Sequence, residues 1–131
     1  MSEVAATLWE RAKDALRAAR HVLSVSPDTA ASRAYYAAFY AVSALFALKA
    51  RTFRKHTSVE AAVHRDLVKP GPWPPALGEA YSRLVELHSV ADYGDDERTD
   101  PKKARKALDA ATKILKAVSG LNPEVFALKS R

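Results

Sequence analysis

Apolar residues recur along this chain at the three- and four-residue spacing of α-helices, with charged residues on the opposite faces. This pattern predicts five helical segments, and the first has Ser2 as its N-cap. Its apolar stripe runs through Leu8, Ala12, Ala15, Ala19 and Val22. The predicted segments are residues 3–24, residues 27–50, a short helix that begins near Ser58, residues 75–91 and residues 101–119.

Local signals fix several of the predicted ends. Ser26 can cap the second helix and Pro27 suits its first turn, and Asp100 and Pro101 play the same parts in the fifth helix. Gly120 is the expected stop of the fifth helix.

Two further signals divide the middle of the chain. Thr57 to Glu60 fits a capping box for the third helix. Residues 69–75 contain four prolines and a glycine, so that stretch cannot be helical.

The second segment carries two neighbouring stripes and is therefore expected to be the central helix, with neighbours on two sides. One stripe is apolar and contains Tyr35, Phe39, Val42 and Phe46; the other is aromatic and polar and contains Arg33, Tyr36 and Tyr40. The predicted fold is a single all-α domain over residues 1–131. We expect an up-and-down bundle of four main helices plus a C-terminal helical element over residues 122–131, either a short turn or a frayed tail.

Composition narrows the class of protein. The formal net charge is +6 and there is no cysteine, which excludes disulfides and thiolate metal sites. The chain has only four glycines, which argues against a glycine-rich phosphate loop. No apolar run approaches the roughly 20 residues that span a bilayer, and the amphipathic start does not resemble a signal peptide. We expect a cytoplasmic protein without a cofactor.

Three stretches together resemble a known family. They are SRAYYAAFYA in the second helix, the histidine of KHTSVEAAV before the third, and ADYGD after the fourth. In this order and at this spacing they resemble the small single-domain prokaryotic members of the HEPN superfamily (higher eukaryotes and prokaryotes nucleotide-binding). The resemblance covers about residues 3–118.

The resemblance implies a four- to five-helix bundle that forms homodimers. It also implies a minimal nucleotidyltransferase as partner, in a toxin–antitoxin pair. Some members of the family are metal-independent endoribonucleases with an R-x-x-x-x-H motif. In that chemistry the histidine moves protons at the 2′-hydroxyl and the arginine stabilises charge on the phosphate.

This chain departs from that motif. In the group that it resembles, arginine usually stands four residues before the aspartate of A-D-Y, and here His88 occupies that place. No histidine follows near the second position of the family's motif, and Tyr93 stands there instead. Two other R-x-x-x-x-H matches exist, Arg51 to His56 and Arg83 to His88, but about one such match is expected by chance, so the pattern alone is weak. We therefore expect an interaction module, with a ribonuclease that uses His88 and Arg33 as the alternative.

The polar stripe of the second helix is the first candidate site. Arg33 can hold phosphate, and Tyr36 and Tyr40 can stack on a base; alternatively, Arg33 is buried and paired with Asp92. An acid at a helix C-terminus is unfavourable with the helix dipole, so Asp92 needs a cation nearby. The predicted cleft for a nucleotide or RNA phosphate lies between the second and fourth helices.

Two histidines and a tyrosine complete the candidate site. His88 is either a satisfied core residue or a catalytic general base oriented by Asp92 one turn later. His56 either bonds to a neighbouring loop or faces the cleft, and Tyr93 either packs in the core or directs its hydroxyl into the site. His21 and His64 are expected at the surface. The histidine spacing indicates no metal site.

Two more groups of residues, one basic and one aromatic, each have two interpretations. One face of the fifth helix carries Lys102, Lys106, Lys113 and Lys116. That face is either solvated or a basic strip for an RNA backbone or an acidic partner. The aromatic residues near the proline-rich break are Phe53, Trp73 and Tyr81. They either cover the end of the bundle or form part of a dimer interface.

Overall fold

The computed structural model describes residues 3–93 and 99–128, except for the side chains of residues 90–93. The helices are α1 (Glu3–Val22), α2 (Pro27–Ala47), α3 (His56–Ala62) with a π-helical continuation over Val63–Val68, α4 (Pro75–Tyr93) and α5 (Pro101–Leu121). The described part of the chain is all-helical, which confirms the predicted bundle of four long helices. None of the described helices is both long and apolar enough to cross a lipid bilayer.

Helix α2 lies at the centre of the bundle and contacts α1, α4 and α5. Small side chains allow this close packing, since alanine lets two helix backbones approach each other. The buried alanines of α2 are Ala30, Ala31, Ala34, Ala37, Ala38, Ala41, Ala44 and Ala47. The predicted apolar stripe holds for Tyr35, Val42 and Phe46, which are buried, whereas Phe39 is only half-buried. The central position predicted for this helix is confirmed.

Two predicted N-caps form as expected. The Ser26 hydroxyl accepts a hydrogen bond of 3.2 Å from the Thr29 N–H at the start of α2. The Asp100 carboxylate accepts one of 2.7 Å from the Lys103 N–H at the start of α5. Each bond satisfies one of the backbone donors that a helix leaves unpaired at its N-terminus. The predicted cap Ser2 lies outside the described residues.

Two helices end earlier than the apolar pattern predicts. Helix α1 ends at Val22 rather than at residue 24, and the Val25 and Ser26 N–H groups both donate to the Val22 carbonyl, over 3.0 and 2.7 Å, in the turn that leads to α2. Helix α2 ends at Ala47 rather than at residue 50. Ala50 has a φ of 57°, in the left-handed region that usually favours glycine.

The predicted capping box at the start of α3 is wrong. Helix α3 begins at His56, its N-cap is Lys55, and the Lys55 side chain makes no capping hydrogen bond there. The Glu60 carboxylate instead accepts a hydrogen bond of 2.7 Å from the Ser82 hydroxyl on α4. The Glu60 carboxylate, which a capping box needs as acceptor for the backbone N–H of the N-cap residue, thus bonds to another helix instead.

The π-helical segment that follows α3 is held by a cluster of charges. The Asp66 carboxylate lies 2.8 Å from the Arg51 guanidinium and 2.9 Å from that of Arg65. Hydrogen bonds from Arg65 and Arg51 hold the pKa of the Asp66 carboxyl well below its usual range. Arg51 thereby ties the loop after α2 to this segment, which the helical period did not predict.

The C-terminal residues form a turn against α1. The Phe126 N–H donates to the Asn122 carbonyl over 2.9 Å, and the fully buried Phe126 ring lies 5.2 Å from that of Trp9. The Trp9 indole N–H donates to the Ala127 carbonyl over 2.8 Å. Residues 122–128 are therefore packed rather than frayed, and Trp9 is a core residue that the predicted stripe of α1 omitted.

The aromatic residues near the proline-rich break belong to the core. Trp73 and Tyr81 are buried, so neither can contribute to a dimer interface. Phe53 is half-buried and its ring packs edge-on against Phe46, with 5.3 Å between the centroids. Of the two interpretations of this group, covering the end of the bundle is the one that the burial supports.

Candidate functional site

Tyr35 on α2 joins two histidines from other helices. Its ring is buried and stacks on His88 of α4, with 4.3 Å between the centroids and 13° between the planes. Its hydroxyl shares a hydrogen bond of 2.9 Å with Nδ1 of His56 at the start of α3. His56 is exposed and His88 is buried, so one imidazole lies at the surface and the other lies deeper.

Two further rings from α2 enclose these histidines. Phe39 stacks on His56 with 4.2 Å between the centroids. Tyr36 meets both imidazoles edge-on, at 5.9 Å from His56 and 5.2 Å from His88. Edge-to-face contacts of this kind fix ring orientation, because the positive edge of one ring meets the negative face of the other. We call Tyr35, Tyr36, Phe39, His56 and His88 the aromatic cluster.

Arg33 adds a cation to the edge of the aromatic cluster. Its guanidinium carbon lies 4.7 Å from the centre of the Tyr36 ring, at cation–π distance. Tyr40, one turn after Tyr36, lies 6.0 Å from it, measured between ring centroids. Arg33, Tyr36 and Tyr40 are all half-buried, so solvent reaches each of them.

These residues line two different depressions. His56 and His88 line a cleft of about 250 Å³ between α2, α3 and α4, together with Tyr35, Thr57, Val85 and Ser89. Arg33 and Tyr40 line a shallow groove between α1 and α2 instead, together with Arg11, Asp14, Ala15 and Ala18. Tyr36 contacts Arg33 on one side and both histidines on the other. The predicted cleft between α2 and α4 therefore has a third wall, which α3 supplies.

Not every candidate residue can be placed. The side chains of Asp92 and Tyr93 lie outside the described residues, so the predicted pairing of Arg33 with Asp92 stays a prediction. The same holds for His88 oriented by Asp92. The remaining candidates, Arg33, Tyr36, Tyr40, His56 and His88, all lie in or beside the aromatic cluster.

The two chance R-x-x-x-x-H matches do not form pairs. Arg51 bonds to Asp66 and lies 4.7 Å from the Phe46 ring rather than beside His56. Arg83 is exposed and lines a groove between α4 and α5, whereas His88 is buried against α2. Their opposite directions agree with the angle of about 140° that five residues make on a helix.

A second set of polar contacts lies behind the aromatic cluster. Burial raises the pKa of Tyr81 well above its usual value, and the neighbouring Tyr35 and Glu60 act in the same direction. Tyr81 therefore keeps its proton at all ordinary pH values. Ser82 donates to Glu60, and its single hydroxyl hydrogen is then used, so Nε2 of His64 must be the donor in its 2.8 Å bond with Ser82.

Tyr35 and Phe39 are site residues that the sequence pattern did not indicate, because both lie on the apolar stripe of α2. A signal for Tyr35 was available, since a buried tyrosine hydroxyl usually needs a hydrogen-bond partner. That partner, His56, lies 21 positions later in the chain. In the described part of the chain, no three histidine, aspartate or glutamate side chains are close enough together to hold a metal ion.

Comparison with known proteins now identifies the family. The model of the HEPN domain matches residues 5–121, which is most of the chain. This chain belongs to the HEPN family. It is 40% identical over 94 residues to a UPF0332 protein of Thermotoga maritima, an alignment that covers 66% of this chain and 71% of the relative.

The fold of a solved structure agrees with that assignment. The crystal structure of TT1696 from Thermus thermophilus superposes with a TM-score of 0.77 and 25% sequence identity. The match covers 91% of this HEPN chain and 98% of the other. The family and the helical bundle expected from the sequence are both confirmed.

Proposed function

We propose that this HEPN domain is a binding and interaction module that takes a nucleotide or an RNA phosphate at Arg33, Tyr36 and Tyr40, at the edge of the aromatic cluster. The observation that carries this proposal is the Arg33 guanidinium 4.7 Å from the half-buried Tyr36 ring. A cation–π contact uses the face of the guanidinium, so its N–H groups can still donate to a phosphate in their own plane. Tyr36 and Tyr40 are the rings on which a base would stack.

The partners that we propose for this chain follow from its resemblance to other HEPN proteins. By its resemblance to HEPN proteins that act with minimal nucleotidyltransferases, we propose that the chain forms a homodimer and joins such a partner in a toxin–antitoxin pair. The half-exposed rings of Phe39 and Tyr40 support an interface, since aromatic side chains are enriched where proteins meet. Light scattering after size exclusion measures the oligomer, and a monomer at all concentrations would contradict the dimer.

Calorimetric titration with ATP and with a short single-stranded RNA tests the binding site. Arg33→Ala removes the phosphate donor and Tyr36→Leu removes the stacking face while it keeps apolar volume. We expect each variant to weaken binding by about tenfold. Arg83→Ala is the matched control, because it removes an exposed arginine that lines the separate groove between α4 and α5. The absence of heat with both ligands and the wild-type chain would contradict the proposal.

A metal-independent endoribonuclease is the second candidate. What favours it is a second imidazole, His56, in the cleft that His88 also lines. In this reaction His88 takes the proton of the 2′-hydroxyl, and the oxygen attacks the phosphorus to give a cyclic phosphate. His56 would protonate the leaving 5′-oxygen, and Arg33 would stabilise the charge on the phosphate.

Incubation of the chain with structured RNA in EDTA tests this candidate. The enzyme is supported if the wild type and His21→Ala both cleave the RNA and His88→Ala does not. His21 is the control because it is exposed at the end of α1. If the wild type cleaves none of several RNAs, the ribonuclease is excluded and the binding module stands on the calorimetric result.

A further inference from the structure

A groove between α1 and α5 combines an apolar floor with basic walls. Its volume is about 200 Å³. Leu16, Leu115 and Leu128 line the floor; Leu16 and Leu115 are buried, and Leu128, which is 44% exposed, supplies the accessible apolar surface. The groove lies on other helices than the aromatic cluster, which α2, α3 and α4 build.

Cations line both walls of this groove. Lys13, Arg17 and Arg20 stand at spacings of four and three on one face of α1, and Lys116 faces them from α5. Arg17 pairs with Asp14 in an exposed contact within one helix, which is weak, and Lys13, whose side chain is only 10% exposed, pairs with Glu10. Arg20 and Lys116 form no ion pair with a carboxylate in the described part of the chain.

Helix α5 carries a large positive charge, with Lys116 on the wall of this groove and Lys106 and Lys113 on the wall of the neighbouring α4/α5 groove. Helix α5 carries six lysine or arginine side chains and one aspartate, so it alone contributes +5 of the chain's formal net charge of +6. A potential concentrated in this way attracts anionic partners and accelerates their association. The partner of this surface is therefore expected to be acidic.

The side chains on the floor of the groove favour one of two kinds of anionic partner, a nucleic acid or an acidic protein helix. A nucleic-acid backbone gains nothing from an exposed leucine such as Leu128, and no aromatic side chain lines the groove for a base to stack on. An amphipathic helix, in contrast, buries its apolar face in such a groove. The basic walls would then meet acidic residues beside that face.

We propose that the α1/α5 groove is a docking site for an acidic amphipathic helix of another protein. The three wall cations on α1 span seven residue steps, or about 10 Å, which is two turns of a bound helix. Leucines of the partner would cover the exposed Leu128 side chain, and its glutamates would reach Arg20 and Lys116. This docking site does not depend on a ligand at the aromatic cluster.

Fluorescence anisotropy with a designed peptide tests the proposal. The probe is a labelled helix of about 18 residues with leucines at helical spacing and glutamates beside them, in about 50 mM salt. We expect saturable binding that Arg20→Glu together with Lys116→Glu weakens by about tenfold. Leu128→Ser should also weaken binding of this peptide, because it removes the exposed part of the floor.

Controls separate this site from general attraction to charge. Arg83→Glu with Lys113→Glu makes the same change in net charge at the neighbouring α4/α5 groove, and we expect it to change the affinity by less than about twofold. A scrambled peptide of the same composition and a single-stranded oligouridylate are the control ligands. All four altered cations are exposed, and circular dichroism confirms that each variant keeps its helices.

The outcomes are distinct. Selective binding of the patterned peptide, lost only in the α1/α5 variants, supports the docking site. No saturable binding, equal binding of the scrambled peptide or the oligouridylate, or equal loss in the two double variants would each overturn it. None of these results bears on ATP or RNA binding at Arg33 and Tyr36, so the two proposals fail separately.

Discussion

Gly78 in α4 tests how closely α4 packs against the π-helical segment. A Cβ atom at this position would lie 2.8 Å from Cγ2 of Val68, 2.9 Å from Cε1 of His64 and 3.0 Å from its Nδ1. These separations are shorter than ordinary van der Waals contact, so His64 would have to move. Because Nε2 of His64 bonds to Ser82, this movement would also break that hydrogen bond.

Two opposing effects decide the sign of Gly78→Ala. Alanine in place of glycine within a helix stabilises by up to about 1 kcal/mol, because it reduces the freedom of the unfolded chain. Overpacking costs about 1–3 kcal/mol, and loss of the His64–Ser82 bond adds about 0.5–1.5 kcal/mol. Even with the full stabilisation of about 1 kcal/mol subtracted, we therefore expect a net loss of about 0.5–3.5 kcal/mol in the free energy of unfolding.

Gly120 in α5 is the matched control, because a Cβ atom there would have no heavy atom within 4 Å. Gly120→Ala should stabilise the chain by about 0.5 kcal/mol. Urea denaturation followed by circular dichroism measures both variants. If Gly78→Ala stabilises the chain as much as Gly120→Ala does, the close approach of His64 to α4 is not present in solution.

Three other predictions concern stability. Phe126→Ala should cost about 3 kcal/mol, because its ring is fully buried, whereas Leu128→Ala should change the free energy of unfolding by less than about 0.5 kcal/mol; equal effects in urea denaturation would mean a frayed tail. Ser26→Ala should cost about 1 kcal/mol through loss of the N-cap, measured as a lowered melting temperature, and Ser26→Gly should cost less. Because the pKa of Asp66 is lowered in the folded chain, its stabilising effect is present above the ordinary carboxyl pKa of 3.8 and is lost as pH falls further. The difference in unfolding midpoint between the wild type and Asp66→Asn should therefore shrink from about pH 5 to about pH 2, and a difference that grows toward acid would contradict the ion pairs with Arg51.

Local chemistry explains which parts of the fold the sequence could predict. Ser26 and Asp100 cap their helices because each side chain reaches a backbone N–H three residues later, and no distant residue is needed. The capping box at α3 failed for the opposite reason. The Glu60 carboxylate bonds to the Ser82 hydroxyl, and because Ser82 lies 22 positions later, a local pattern cannot indicate this contact.

The candidate site was predictable only in part. Arg33, Tyr36 and Tyr40 were found because their spacing places them on one face of a helix. The contacts that unite Tyr35 with His56 and His88 join three helices, so helical spacing alone cannot indicate them. The contact of Arg51 with Asp66 on the π-helical segment was missed for a related reason, since it spans 15 positions of the chain.

The alanine-rich centre of the bundle bears on which substitutions this chain can accept. Because eight alanines of α2 are buried, the neighbouring helices fit against its backbone rather than against long side chains. At these positions a smaller residue leaves almost no void, but a single added methylene group would overlap the neighbouring helix. A saturation library over α2 should consequently tolerate only glycine, serine and alanine there, which makes the middle helix the slowest part of the molecule to diversify.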